Sequence, residues 1–176
     1  KSTDESNYQV GDPANDTIRI DHTECNAKVI GEGANLGITQ SARIELSRQG
    51  IRINTDFIDN AAGVNMSDYE VNLKILLTQL LTDKKIKTDT QRNQILKKAT
   101  DDVTTLVLTN NQNNHRLLSM DQRRSNQDIV IFFKLINHMI TTKQLNPIQE
   151  YIPDSGELEE IFEHHELLPR PLLATL

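Results

Sequence analysis

Cysteine is nearly absent: of 176 residues only Cys25 carries a thiol. One thiol cannot close an intramolecular disulfide, which fits a reducing compartment and a cytoplasmic location. Long apolar runs are missing too. None approaches the roughly 18 residues of a membrane span, and no charged-then-apolar leader opens the chain. The third absence is an excess of basic residues. With 25 acids against 19 bases the net charge is −6, so the concentrated Lys and Arg that nucleic acid or an anionic membrane requires is lacking. What remains is an ordinary composition, 36% hydrophobic and 25% charged, in a length that suits one domain or pieces of two. The chain begins at Lys1 and stops on the apolar "LPRPLLATL", an end that wants covering, and a fragment of a longer protein is expected.

Patterning divides the chain. Residues 1–26 are rich in Asp, Asn, Ser and Thr and read as irregular chain with at most one helical turn. Two β-type runs follow, "AKVI" (27–30) and "IRINTDF" (51–57), separated by a helix-length segment with Ile38, Ala42 and Leu46 four apart and a stop at Gly50. That order predicts β-α-β, a piece of a parallel sheet with its crossover helix. Beyond Gly63 a 3.6-residue period takes over. Four pairs three residues apart, Ser67/Glu70, Thr88/Gln91, Ser125/Asp128 and Asp154/Glu157, suggest helix starts. The accompanying stripes are Tyr69, Leu73, Leu76, Leu77 and Leu80; Ile95, Ala99, Val103 and Leu106; Ile129, Phe132, Phe133, Ile136 and Ile140; and Leu158, Ile161 and Phe162. A polar loop is expected at 110–114. No internal repeat is visible.

The stretch "GEGANLGITQ" (31–40) imitates a dinucleotide fingerprint, whose three glycines serve the turn, the approach to pyrophosphate and close helix packing. Gly31 and Gly33 fit the first two roles, but Leu36 stands in the third, and Asp56 lies where a ribose-binding acid would be. Glycine supplying positive φ in a plain strand-to-loop connection is the simpler account. A mononucleotide-phosphate site at Gly31–Asn35 is a further alternative.

Taken together, "VGDPANDTIRID", "KVIGEGANLGITQSARIEL" and "GIRINTDFIDNAAGVNMSDYEVNLKILL" resemble the large NAD-specific glutamate dehydrogenases of bacteria. The likeness is dense from Val10 to Leu77 and scattered beyond. In the wider superfamily the first loop looks like E-G-A-N-x-P-T-T and the second like N-A-G-G-V-x-x-S; here they stand as 32–39 and 60–67. Gly37, Ile38 and Ala62 depart from those patterns, and Met66 and Tyr69 stand where Cys and His are expected.

The resemblance implies an α/β fragment, a β-α-β piece of a Rossmann-like sheet forming the end of the catalytic domain (1–66), followed by a helical C-terminal region (67–176). It implies NAD as cofactor, with Gly33, Ala34, Asn35 and Asn60 facing its nicotinamide half. Gly63, Val64 and Ser67 would meet L-glutamate or 2-oxoglutarate, Ser67 through the distal carboxylate. The catalytic lysine and carboxylate, and the pyrophosphate turn, are expected upstream, so no catalytic residue is assigned and the isolated chain is expected to be inactive. Homo-oligomers are the family habit. From the residues alone, Asn35 and Asn60 suit loop bends, and Ser67 suits a helix cap.

Other candidates are weak. His164 and His165, adjacent on a helix, point about 100° apart and suit solvated surface better than a metal, and no metal is expected. Cys25 has no neighbouring His to activate it, and Arg123-Arg124 reads as a solvated turn. The rival to the enzyme reading is a non-catalytic helical interaction or regulatory module.

Overall fold

The computed structural model describes residues 1–164 and 166–176, with every side chain among them except that of Phe162. The expectations placed on His165 and on the Phe162 side chain lie outside the described residues. The helices are α1 (Asn7–Val10), α2 (Gln40–Arg48), α3 (Asp56–Asp59), α4 (Ala61–Thr82), α5 (Asp89–Gln127), α6 (Ile129–Thr141), α7 (Ser155–Glu163) and α8 (Arg170–Leu173), with 3-10 turns at Pro13–Ile18 and His22–Glu24.

The fold is mainly helical, and the β-α-β expectation is corrected. Among the described residues there is no strand, only an isolated parallel bridge between Val29 and Arg52. Two hydrogen bonds carry it, Ile30 N–H to Arg52 O (2.9 Å) and Arg52 N–H to Lys28 O (3.0 Å). The reason is local on both sides. "AKVI" gives way to the glycine loop after four residues. The run from Ile51 is diverted when the Thr55 carbonyl accepts from Ile58 and Asp59, opening α3. A lone pair of such short runs lacks the third strand that gives a sheet independent stability.

Two compact units emerge. The first comprises residues 1–59 and 115–176. Its apolar core gathers Leu118, Ile129, Phe132, Ile136, Leu145, Leu158, Ile161, Leu168, Leu172 and Leu173, so the apolar C-terminal stretch is covered by its own chain. The expected stripe of α6 turns inward as a set, with Ile129, Phe132 and Ile136 buried and Phe133 and Ile140 packed against the core. Helix α2 starts at Thr39, whose hydroxyl accepts from Ala42 N–H, and the chain leaves it through Gly50 at φ 85°. At the amino terminus Ser2 and Thr3 are strapped to α2, both hydroxyls donating to Glu45 Oε1 (2.8 and 2.9 Å).

The second unit, residues 60–114, contains α4 and the first part of α5, joined by a turn in which Lys84 adopts φ 56°. Leu77, Ile86 and Val107 are its buried apolar residues. In this part of α5 the half-buried and buried apolar positions are Leu96, Ala99, Val103 and Val107, whereas Ile95 and Leu106 are exposed. The inner stripe is therefore offset by one residue at each end from the expected one. The loop expected at 110–114 is also absent, since α5 runs unbroken for 39 residues.

Candidate functional site

The glycine loop is held from beneath by charge. Glu32 and Arg43 are both buried, at 5% and 6% exposure, and they pair in a fork: Arg43 Nε to Glu32 Oε2 at 2.6 Å and Nη2 to Oε1 at 2.8 Å. Arg43 Nη2 also lies 3.3 Å from Asp56 Oδ2. Arg43 projects from α2 and Asp56 from α3, so one guanidinium joins the loop to the helices on either side of it. Bidentate geometry of this kind adds direction as well as strength.

The backbone of the loop is pinned at two points. Leu36 N–H donates to Asp56 Oδ2 (2.7 Å), and Glu32 N–H donates to Asp59 Oδ2 (3.0 Å). Between these anchors Gly33, Ala34 and Asn35 are exposed. A Cβ built on Gly33 would meet nothing within 4 Å, so this side of the loop is open to a ligand. Leu36 adopts φ 61° with its side chain 89% exposed. It does not wedge apart packed elements, as a leucine in the third fingerprint position would; it occupies a left-handed turn.

Burial shifts these charges, and their partners outweigh it. For Arg43, burial alone would lower the pKa, but Glu32 and Asp56 overcome it and hold the group above its ordinary value. For Asp56, burial pushes upward, while the Leu36 N–H, the Arg43 charge and the Phe57 N–H together keep it below the usual carboxylate value. Asp56 is therefore spent on the loop anchor and is not a free ribose-binding acid.

A second polar cluster lies at the start of α3. Asn54 is buried at 9% exposure; its Nδ2 donates to Asp59 Oδ1 (2.8 Å) and is 3.1 Å from His115 Nδ1. Arg170 meets it from α8, Nε donating to Asn54 Oδ1 (2.7 Å). Burial lowers the Arg170 pKa, with the Asp59 charge opposing. In the same unit a cleft of about 940 Å³ is bounded by residues of the N-terminal strap and the 36–40 end of the loop.

The second predicted loop is mostly helix. Asn60 is the N-cap of α4, with no side-chain cap bond, and Gly63, Val64 and Ser67 lie inside α4. Gly63 N–H bonds to Asn60 O (2.9 Å), and a Cβ on Gly63 would fall 2.6 Å from Asn60 Oδ1. A side chain at 63 would oblige the Asn60 amide to shift from its present position. Ser67 is not a helix start, because α4 begins six residues earlier. The end of the helix dipole that favours an anion lies at the first turn of α4 and not at Ser67.

Gly33, Ala34 and Asn35 thus belong to the first unit, and Asn60, Gly63, Val64 and Ser67 to the second. Sequence reasoning did not reach Glu32, Arg43, Asn54, Asp59, His115 or Arg170 as parts of one frame. A glutamate inside a glycine loop with an arginine 11 residues on was the only signal available. Among the described residues no group of three or more His, Cys, Asp or Glu is placed to hold a metal, and no helix is long and apolar enough to cross a membrane.

Residues 1–121 match the family described as bacterial NAD-glutamate dehydrogenase, catalytic domain. Over all 176 residues the chain is 44% identical to the NAD-specific glutamate dehydrogenase of Pseudomonas aeruginosa, 42% to that of Halomonas elongata and 39% to that of Mycobacterium tuberculosis. The chain spans 11% of the length of each of these relatives.

Proposed function

This chain belongs to the bacterial NAD-glutamate dehydrogenase family, by its catalytic domain, and from that premise we propose that it is a segment of an enzyme that deaminates L-glutamate oxidatively. NAD, when bound, supplies the hydride acceptor for conversion of glutamate to 2-oxoglutarate and ammonium. The observation that carries the reading is the Gly33–Asn35 stretch, exposed on a loop anchored by the buried Glu32–Arg43 pair. A rigid base with an open, uncharged crest suits a ligand that needs both hydrogen-bond donors and acceptors without added charge.

In this reading Asn35 holds the nicotinamide ribose and carboxamide through its amide, with Gly33 and Ala34 allowing backbone approach. Asn60 contributes a second amide. Gly63 lets that amide lie against the first turn of α4, Val64 offers an apolar contact to the substrate methylenes, and Ser67 donates to the distal carboxylate. Proton transfer needs a lysine and a carboxylate from elsewhere in the full-length protein. A homo-oligomer in the cytoplasm completes the proposal.

The test is kinetic. In the full-length enzyme Asn35→Ala raises the KM for NAD, and Ser67→Ala raises the KM for glutamate, each about tenfold or more, as expected for loss of one hydrogen bond to a charged or desolvated partner. The isolated chain produces no glutamate-dependent NADH. Turnover by the isolated chain, or unchanged KM values in both variants, refutes the assignment. A second reading, a helical interaction module, draws on Val64, Val71 and Ile75, which recur along α4 at 63%, 49% and 63% exposure; unchanged KM values would favour it.

A further inference from the structure

We propose that Arg170, beyond the residues matched to the catalytic-domain family, is a positioning residue for the glycine loop. The inference rests on the cofactor reading of that loop for its kinetic consequence, but its structural content stands apart from it. Arg170 reaches three acceptors: Asn54 Oδ1 (2.7 Å), Ser119 Oγ (2.8 Å) and His115 O (3.3 Å). The last two lie on one turn of α5 and fix the plane of the guanidinium. The first fixes an amide.

Asn54 has one orientation available. With its oxygen facing Arg170, its NH2 group donates to Asp59 Oδ1 at 2.8 Å. Turned over, the amide would set NH2 against guanidinium and oxygen against carboxylate, donor on donor and acceptor on acceptor. Asp59 then uses its other oxygen, Oδ2, to accept Glu32 N–H at 3.0 Å. A continuous relay, Arg170 to Asn54 to Asp59 to Glu32 N–H, thus ends on the backbone immediately before Gly33.

Among the described residues Arg170 forms no ion pair within 4.0 Å, although it is only half-exposed. A partly buried cation with neutral acceptors is a poor way to stabilise a fold, since an apolar side chain would fill the space without the desolvation cost. It is a good way to force an amide to face one direction. The position of Arg170 is itself secured, because Gln40 Nε2 donates to Pro171 O (3.0 Å), and Leu168 and Leu172 on either side are completely buried.

The experiment uses the full-length enzyme with Arg170→Met, which keeps length and loses the donors, and Arg170→Lys, which keeps the charge and loses the fork. Hydrogen exchange at the Glu32 amide is read beside exchange in α6, and the KM for NAD beside kcat. The expected result is Glu32 exchange about tenfold faster in Arg170→Met, a smaller increase in Arg170→Lys, and no change in α6. The KM for NAD should rise severalfold with kcat nearly constant. Unchanged Glu32 exchange in both variants, or equal acceleration in α6, overturns the proposal. The cofactor reading is judged separately by Asn35→Ala: if that variant leaves the KM for NAD unchanged while Glu32 exchange still responds to Arg170, the positioning role holds and the loop serves another ligand.

Discussion

At the scale of single residues, the loop depends on a buried ion pair whose members cannot be removed singly. Glu32→Ala leaves Arg43 with the Asp56 carboxylate and the Gln40 amide oxygen, and loss of one partner from a buried pair costs about 3–5 kcal/mol. Urea denaturation of wild type and variant measures this; a difference below about 1 kcal/mol would show the pair to be incidental. A pH dependence belongs at the same scale. Burial raises the pKa of Glu45, yet the Thr3 N–H, the Ser2 and Thr3 hydroxyls and His22 outweigh it and hold the carboxylate below its ordinary value. A depressed folded-state pKa means that the strap to α2 is at full strength above the ordinary carboxylate range and is lost as pH falls through that range to the folded value. Wild type should therefore be more stable than Glu45→Gln at neutral pH, with the difference shrinking on acidification; a difference that does not change with pH would exclude the mechanism. Of these residues the sequence revealed little. Asn35 and its neighbours came from resemblance to a family pattern. The frame beneath them joins residues 11, 20, 27 and 116 apart, and no local pattern encodes such pairings.

At the scale of elements, caps were legible where one residue settles the start. Thr88 accepts Gln91 N–H (3.2 Å), and Asp154 accepts from Glu157 N–H while Glu157 accepts from Asp154 N–H. Ser67 and Ser125 carry the same spacing but lie inside helices, Ser125 donating to Gln122 O. Ser or Thr three residues before an acid or amide is compatible with a helix interior, and the surrounding helix decides. The polar run 110–114 suggests a loop yet stays helical for a related reason: Asn is a weak helix breaker, differing from Ala by well under 1 kcal/mol per residue, and α5 continues through it. The contrast is measurable. Thr88→Ala should cost about 1 kcal/mol, whereas Ser67→Ala should be neutral or stabilising by a few tenths of a kcal/mol. A loss of about 1 kcal/mol for Ser67→Ala would mean that it caps after all.

At the scale of the molecule, the first unit is assembled from the two ends of the chain. Nine of the ten residues of its core cluster lie beyond residue 121, where the match to the catalytic-domain family stops. Leu172, with no exposed surface, is central to it, and Leu172→Ala should cost about 2–5 kcal/mol by thermal or chemical unfolding; a loss under 1 kcal/mol would show that the cluster closes without it. The helical stripes of α6 and α7 foretold this core. That it would close over residues from the opening third of the chain was not foretold, because periodicity reports which face is apolar and not what covers it.

The bond from Gln40 to the carbonyl of Pro171 spans 131 residues. During synthesis at roughly 5–20 residues per second, residue 40 is joined to the chain some 7 to 26 s, on this rate, before its acceptor is made. For that interval the loop segment lacks its final partner, so the contact that ties α2 to the C-terminal stretch is among the last the unit can make.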